Sequence, residues 1–365
     1  MEPSGVNLFP RHALVAALML TLIAGCQSPG ASTPITPTAS AAAPSSAPTN
    51  APTDAPTPGL TGLFHIVGDA PVVARTAFPN RGAVLPSAIS VAEDRTFHAW
   101  VIAFAATPGT QEIHHLTSPD ATTWTDVPDA SLEGLSEGLG NPGAMPTSVL
   151  AGPDGWIMHY VGSLVSEPQG WDIWRATAPG PNGPWTKGDE PVVRRGPAGS
   201  WDSAVLDFPT VIERGGGYTM FYSGLELAHR DRGSIGRATS DDGIFWTKAD
   251  APVAEPGLCG GFDDRAIHQP RVLVQVDRLV MAYAGYAGAL DSHPTVGFAD
   301  STDGGLTWSC EGTGSGLATA GLPDGFVHTL AAFHQGDRVA LLVEWFAGNG
   351  TDIWLARLGQ GTLEP

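Results

Sequence analysis

Short apolar runs, broken every few residues by glycine and aspartate, set the character of this chain. The pattern is clearest from Trp201 to Lys248. An alternating run around Val205–Ile212 meets a turn at Gly215–Gly217. A second run follows at Tyr218–Tyr222, then a polar loop, then a third at Ser234–Thr239. A turn at Asp241–Gly243 leads into Phe245 and Trp246, which open a fourth. Period-two alternation bounded by turn residues predicts a four-stranded antiparallel meander.

The pattern recurs. Tyr160, Tyr222, Tyr283 and Trp345 each close a second run, at spacings of 62, 61 and 62. Trp124, Trp185, Trp246 and Trp308 each follow a turn, at spacings of 61, 61 and 62. The third runs align as EIHHLTS, DIWRATA, SIGRATS, TVGFADS and DIWLARL. Five copies of an all-β unit about sixty residues long imply radial repetition, so the expected fold is all-β, a five-bladed β-propeller of four-stranded blades. A Pro-Val element ends two units, GDEPVV at 188–193 and ADAPVA at 249–254. The same element stands alone near the start as GDAPVV at 68–73. The fifth copy ends near Leu358 without an outer strand of its own. Phe64–Val73 is therefore expected to supply it, so that the N-terminal strand closes the ring and leaves no open edge.

The N-terminal segment is not propeller. Arg11 and His12 precede an apolar stretch, Ala13–Ala24, too short for a membrane-spanning helix. It ends in Ile23-Ala24-Gly25-Cys26, which resembles the bacterial lipobox. That resemblance implies a lipoprotein signal peptide over 1–25 and lipidation of Cys26, with an ordinary secretory signal as the alternative. Residues 26–60 hold the lipidated cysteine and a disordered tether rich in Ala, Pro, Ser and Thr, without aromatic residues to bury. Residues 61–365 are the propeller domain. The expected location is the bacterial cell envelope, exported and lipid-anchored, with the membrane touched only through the anchor. The net charge of −19 argues against nucleic acid or an anionic membrane as partner. A monomer is expected.

Cys259 enters the fourth blade and Cys310 lies just past the Trp of its outermost strand. A four-stranded meander puts the start of its first strand and the end of its fourth on one face, so an oxidising compartment favours a Cys259–Cys310 disulfide, free buried thiols being the alternative.

The same geometry selects a functional face. Blade connections and the loops between second and third strands open together. These loops carry Glu167 and Asp172; Glu226, His229, Arg230 and Asp231; Asp291 and His293. The opposite turns are short Gly/Asp turns. Polar loops on one rim of a rigid scaffold are where sites gather, although solvated loops have the same composition. The first strands line the central channel. Aligned on Pro86, Pro146, Pro209 and Pro270, they bring Val84, Ala144, Asp207 and His268 to one level, with His328 as the fifth member. Asp202, Asp263, Asp264, Arg265 and Asp324 stand near the mouth. Crowded acids perturb one another, as acid–base chemistry needs. Asp207, His268 and His328 could equally hold a hydrated structural Ca²⁺ in the channel, though oxygen donors are few; no other cofactor is expected.

WDSAVLDFPTVI, YTMFYSG and IGRATSDDGIFW together resemble the five-bladed propeller glycosidases, the arabinanase, β-xylosidase and invertase-like group that includes glycoside hydrolase family 43. The resemblance spans roughly residues 63–358. It implies an acidic funnel, an exported protein, a carbohydrate substrate, and three carboxyls acting as base, tuning group and acid. Carried onto this chain, Glu226 is the proton donor, Asp264 the ionised partner beside Arg265, and Asp207 the tuning group. Asp202 and Asp324 would bind hydroxyls, with His268 and His328 below and Trp201 as a stacking platform. The first channel strand, Asn80–Pro86, has no carboxylate, and no Asn-Asp-Pro or Arg-Asp-Pro motif occurs. A non-catalytic glycan-binding propeller lipoprotein and a protein-interaction propeller therefore stay open. Ser301–Trp308 also matches the Asp-box of sialidases, and Ser240–Trp246 approximates it. That motif is a turn device, and a sialidase-like arginine triad is not evident.

Overall fold

The computed structural model describes residues 64–358 except 80, 106–110, 129, 131, 133–134, 141–142, 153, 168–169, 227–228, 230–231, 289–292, 311–316, 319–321, 337 and 349. The segments expected to be signal peptide and tether, with Cys26, lie outside the described residues, as do Arg230, Asp231 and Asp291. Among the described residues no helix is long and apolar enough to cross a membrane.

The fold is an all-β, five-bladed β-propeller. The chain enters with β1 (Phe64–Ile66). The first blade is β2 (Arg81–Val91), β3 (Phe97–Ala105), β4 (Gln111–Ser118) and β5 (Thr125–Asp126). The second is β6 (Met145–Gly152), β7 (Gly155–Gly162), β8 (Asp172–Ala178) and β9 (Thr186–Lys187). The third is β10 (Val205–Arg214), β11 (Gly217–Leu225), β12 (Gly233–Ser240) and β13 (Thr247–Lys248). The fourth is β14 (Ala266–Val274), β15 (Leu279–Tyr286), β16 (Thr295–Ser301) and β17 (Ser309–Cys310), followed by β18 (Leu317–Ala318). The fifth holds β19 (Gly325–Gln335), β20 (Arg338–Ala347) and β21 (Gly350–Leu358).

The fourth strand of the fifth blade comes from the start of the chain. β1 pairs antiparallel with β21, Phe64 opposite Leu358 and Ile66 opposite Ala356, and β18 runs parallel to it. The Pro-Val element makes the same contact each time: Val73 bridges Ile353, Val193 bridges Ile173, and Ala254 bridges Ile235. The element at 68–73 thus serves the fifth blade.

The core lies between blades, because alternate side chains of each strand face opposite neighbours. Trp100 of the first blade packs with Tyr160, Trp174 and Trp185 of the second. Met220 and Tyr222 of the third join Val161 and Ile173 of the second. Phe221 meets Met281 and Tyr283 of the fourth, and Val296 and Phe298 meet Leu341 and Val343 of the fifth. Leu342 and Phe333 meet Phe97 and Val101, returning to the first blade. Each fully buried aliphatic or aromatic side chain contributes about 1.5–3 kcal/mol. Truncating Trp100 to alanine would cost about 3–5 kcal/mol and loosen the first interface.

The disulfide between Cys259 and Cys310 is present, with the Cα atoms 5.2 Å apart. It ties the connection entering the fourth blade to that blade's last strand.

One alignment slips. Tyr160, Tyr222 and Tyr283 stand opposite Trp174, Gly236 and Gly297, but Trp345 stands opposite Asp352. Val343 holds the tyrosine position of the fifth blade, and Glu344 the position of Ser223. The slip is two residues, so each side chain keeps its face and the apolar pattern survives. That is why the repeat hides it.

Candidate active site

All five inner strands break register at one level. The breaks fall between Pro86 and Ala88, Pro146 and Ser148, Asp207 and Thr210, His268 and Arg271, and Val327 and Leu330. Proline donates no ladder hydrogen bond, so a bulge is where an inner strand can hold one. Phe208 and Gln269 inside two of these bulges have φ of 46° and 57°, a left-handed conformation that costs a side-chain-bearing residue energy. Both adjoin site candidates.

The bulges gather the axial cluster. Asp207 is 1 % exposed, and its Oδ1 accepts the N–H of Phe208 at 2.8 Å. Burial pushes its carboxyl up to about 7, against the opposing pull of the Phe208 N–H and the Arg271 guanidinium. His268 is buried, with Phe208 edge-on to it at 5.5 Å; burial, then the charges of Arg271 and His328, lower it to about 3. His328 lies within its bulge, and its Nδ1 is 2.9 Å from Oε2 of the fully buried Glu344. Burial disfavours its charge, but the Glu344 carboxylate outweighs that and leaves His328 raised. Tyr286 completes the group: burial, then Glu344 and Asp207, push its hydroxyl up. His268 Nε2, Gln269 Oε1 and Glu344 Oε1 are buried and lack a hydrogen-bond partner. Unpartnered polar atoms also lie between the blades, at His159 and Tyr160 for example, so those at the axis matter for the charged neighbours they stand among.

Asp207, His268 and His328 stand at one level of the inner strands, and His268 feels the charge of His328. In the first two blades the pairing register sets Leu85 and Met145, not Val84 and Ala144, at the level of Asp207 and His268, because these bulges hold one residue where those of the third and fourth blades hold two; both bring only buried apolar groups. Glu344 and Tyr286 escaped the sequence. Glu344 is hidden by the two-residue slip, and Tyr286 by its place beyond the aligned AYAG run. A lone glutamate in the otherwise apolar run ALLVEWF was the available signal.

The rim residues divide. Strand polarity puts the start of each inner strand and the end of each second strand on one face. Glu226, directly after β11, and Asp264, two residues before β14, thus share the face of the axial cluster. Glu226 is half-buried, and its carbonyl accepts the His229 N–H at 3.2 Å. Asp264 is exposed and accepts the Gly261 N–H at 3.0 Å; the Arg265 N–H donates to Tyr286 O at 2.9 Å. Asp324 is exposed at the entry to β19.

Asp202 and Trp201 take another part. Asp202 is buried, accepts Ser200 Oγ at 2.9 Å and pairs with Lys248 Nζ at 2.6 Å. The Trp201 ring lies on Tyr222 at 5.9 Å, and a Cβ on Gly224 would come within 2.1 Å of it. Phe262 and Asp263 repeat the device one blade on: Phe262 lies on Tyr283 at 6.2 Å, and Asp263 accepts the Tyr283 hydroxyl at 2.6 Å and two backbone N–H groups. The pair expected to stack on and bond a sugar instead packs the blade. Glu167 and Asp172 both pair with Arg195.

Calcium is poorly matched by the axial side chains. Among the described residues no group of three His, Cys, Asp or Glu side chains is placed to hold a metal ion. Asp207 and His268 both feel the positive charge of Arg271, so this donor set does not fit a hard cation.

The Asp-box turns are structural. Asp120, Asp242 and Asp303 each accept two backbone N–H groups of their own turn, while Ser118 and Ser240 accept two more and Ser301 one. Backbone donors hold all three carboxyls below the usual range, with a side-chain bond from Thr307 leading at Asp303.

No protein-family model and no curated protein matches the chain. Solved structures do. One, a complex of BT0996 and RGII, superposes with a TM-score of 0.62 at 15 % identity, over 83 % of this chain and 94 % of the other. A thermostable family-43 glycoside hydrolase gives 0.59 at 15 % identity, over 77 % and 92 %. Zg3597, a family 117 glycoside hydrolase from the marine bacterium Zobellia galactanivorans, gives 0.58 at 17 % identity, over 82 % and 90 %. The chain has the fold of these glycoside hydrolases.

Proposed function

We propose that this protein is a glycoside hydrolase displayed on the bacterial cell envelope. It would act as a lipid-anchored monomer that cleaves an oligo- or polysaccharide at the axial mouth. The observation that carries the reading is Asp207: a buried carboxyl that keeps its proton to about pH 7, on the face where polar groups converge. Hydrolysis of a glycosidic bond needs one protonated and one ionised carboxyl about the scissile bond. Glu226 is the proton donor to the leaving oxygen, Asp264 its partner carboxyl across the scissile bond, and Asp207 the group that holds a proton beneath the sugar. His328, steadied by Glu344, and Asp324 contact hydroxyls. Sugar is the substrate class because the fold is shared with glycoside hydrolases and because the RGII complex is among its structural neighbours.

Glu226→Gln and Asp264→Asn test the roles. Each should lower kcat about 10²–10⁴-fold on a cleaved glycan, with Tm unchanged. Full activity in both would overturn the assignment. A second reading, a propeller that binds glycans without cleaving them, is favoured by the first blade, whose axial residues Val84 and Leu85 carry no carboxylate. Glycan binding by the wild-type chain, with no bond cleaved, would favour that reading.

A further inference from the structure

Below Asp207 one guanidinium meets all five blades. Arg271 leaves β14 directly after its bulge, is 4 % exposed, and points across the axis. Its Nε donates to Leu330 O of the fifth blade at 2.7 Å. Nη1 donates to Thr147 O of the second at 3.0 Å, and Nη2 to Ser87 O of the first at 3.3 Å. Its central carbon sits 5.3 Å from the ring centroid of Phe208 in the third. Ser87 and Thr147 are the residues their bulges leave out of the ladder, so the bulges free the carbonyls that the guanidinium takes.

Inward-facing carbonyl oxygens make a cation site, and a planar five-donor fork can serve several at once. Burial lowers the guanidinium to about 10 while Asp207 opposes, so Arg271 is charged at neutral pH. Asp207 on β10, His268 on its own strand, and Tyr286, His328 and Glu344 beyond them are the titratable groups on its site side. On the other side lies a cavity of about 380 Å³, walled by side chains such as Val91, Val149, Ile212, Val274 and Phe333.

We propose that Arg271 is a resident axial cation, a positioning residue that joins the five blades, floors the site and seats the bulge bearing Asp207 without a metal ion. This deepens the hydrolase reading, and it rests on that reading only for the use made of Asp207; the test below needs no substrate.

Arg271→Ala removes the cation and leaves the three carbonyls, which a free guanidinium ion can reach through the far cavity. In the full chain this variant should melt about 6 °C or more below the wild type. Addition of about 20 mM guanidinium chloride, far below denaturing concentration, should restore at least half of that loss, and equal sodium chloride should not. The ¹⁵N amide signal of Phe208, which reports on its bond to Asp207, should shift in the variant and return with guanidinium. Arg271→Lys, which keeps charge but not the fork, should fall between. The wild type should be indifferent to a chelator. An Arg271→Ala protein as stable as the wild type, or destabilised yet indifferent to guanidinium, overturns the proposal; so does a wild type that loses Tm in chelator. If Arg271→Ala does not fold, refolding yield with and without guanidinium replaces Tm: recovery supports the proposal and its absence overturns it.

Discussion

The outer turns and the axial bulges occupy opposite ends of the same repeat, and they differ in what they repeat. At the rim, Ser118–Asp120, Ser240–Asp242 and Ser301–Asp303 carry the same side chains and the same kind of side-chain-to-backbone bonds, the third turn being one residue longer. At the axis the backbone break recurs in every blade, but its residues do not: Ser87, Thr147, Phe208, Gln269 and His328. A repeated side chain serves a task common to every blade, which is to turn the chain. A repeated backbone with changing side chains is a frame on which one site is assembled.

Breaking the axis should therefore cost function, while breaking the rim should cost only stability. The largest effect is expected at Asp207. Asp207→Asn should lower kcat about 10³-fold, near 4 kcal/mol of barrier, with the fold intact. In the wild type, kcat/KM should fall as pH rises through about 7, where Asp207 loses its proton, and the variant's profile should lack that limb. A variant with the wild-type profile would show that Asp207 is part of the frame, not of the site.

Next is the staple. Replacing Cys259 and Cys310 with serine should destabilise by about 2–4 kcal/mol, by releasing a 51-residue loop in the unfolded chain. Thermal melting checks this, and kcat below the lowered Tm should be unchanged.

Acid comes third. Burial holds His115 near 4, and His159 and His268 near 3, so these three stay neutral when folded while the unfolded chain protonates them near 6.5. Their contribution is complete above about 6.5 and is lost as pH falls toward 4. Asp207 has the opposite sign: folded, it keeps a proton between about 3.8 and 7 that the unfolded chain releases. Burial lowers His98 as well, so the unfolded state gains more protons than the one that Asp207 keeps in the folded state. Stability should fall on acidification from pH 6.5 to 4, with a limiting slope of about 1.4 kcal/mol per pH unit for each net proton. His268→Asn should flatten the slope; a melt independent of pH in this window would contradict the assignment.

The smallest effect is expected at the rim. Asp242→Ala removes the carboxylate oxygen that accepts two backbone N–H groups in an exposed turn and should cost about 1 kcal/mol, with kcat unchanged. A large loss of activity there would erase the contrast between rim and axis.

The same contrast governs what could be read from the sequence. Blade count, the Pro-Val clasp, the disulfide and the convergence of Asp207, His268 and His328 follow from periodic positions, because periodicity is what a linear text records. Trp201 and Asp202 looked like site residues because they open a strand at the mouth. Only packing reveals that Gly224 and Gly236 leave room for the indole and that Lys248 takes the carboxyl. Glu344 was invisible for the converse reason, since the slip of the fifth blade preserves the apolar alternation. Nothing in the sequence singles out Arg271. Its partners lie 59, 124 and 184 residues away, a relation that only the closed cluster of bulges expresses.

The central claim is that the axial face cleaves glycosidic bonds, and the most direct measurement is product release. The purified wild-type chain and Asp207→Asn should be incubated at pH 6 with a panel of aryl-glycosides and polysaccharides, and the liberated sugar quantified. The account predicts a sugar released by the wild type and reduced about 10³-fold by the variant at matched Tm. A folded wild-type chain that cleaves nothing on the panel, or a variant that releases as much as the wild type, would contradict it.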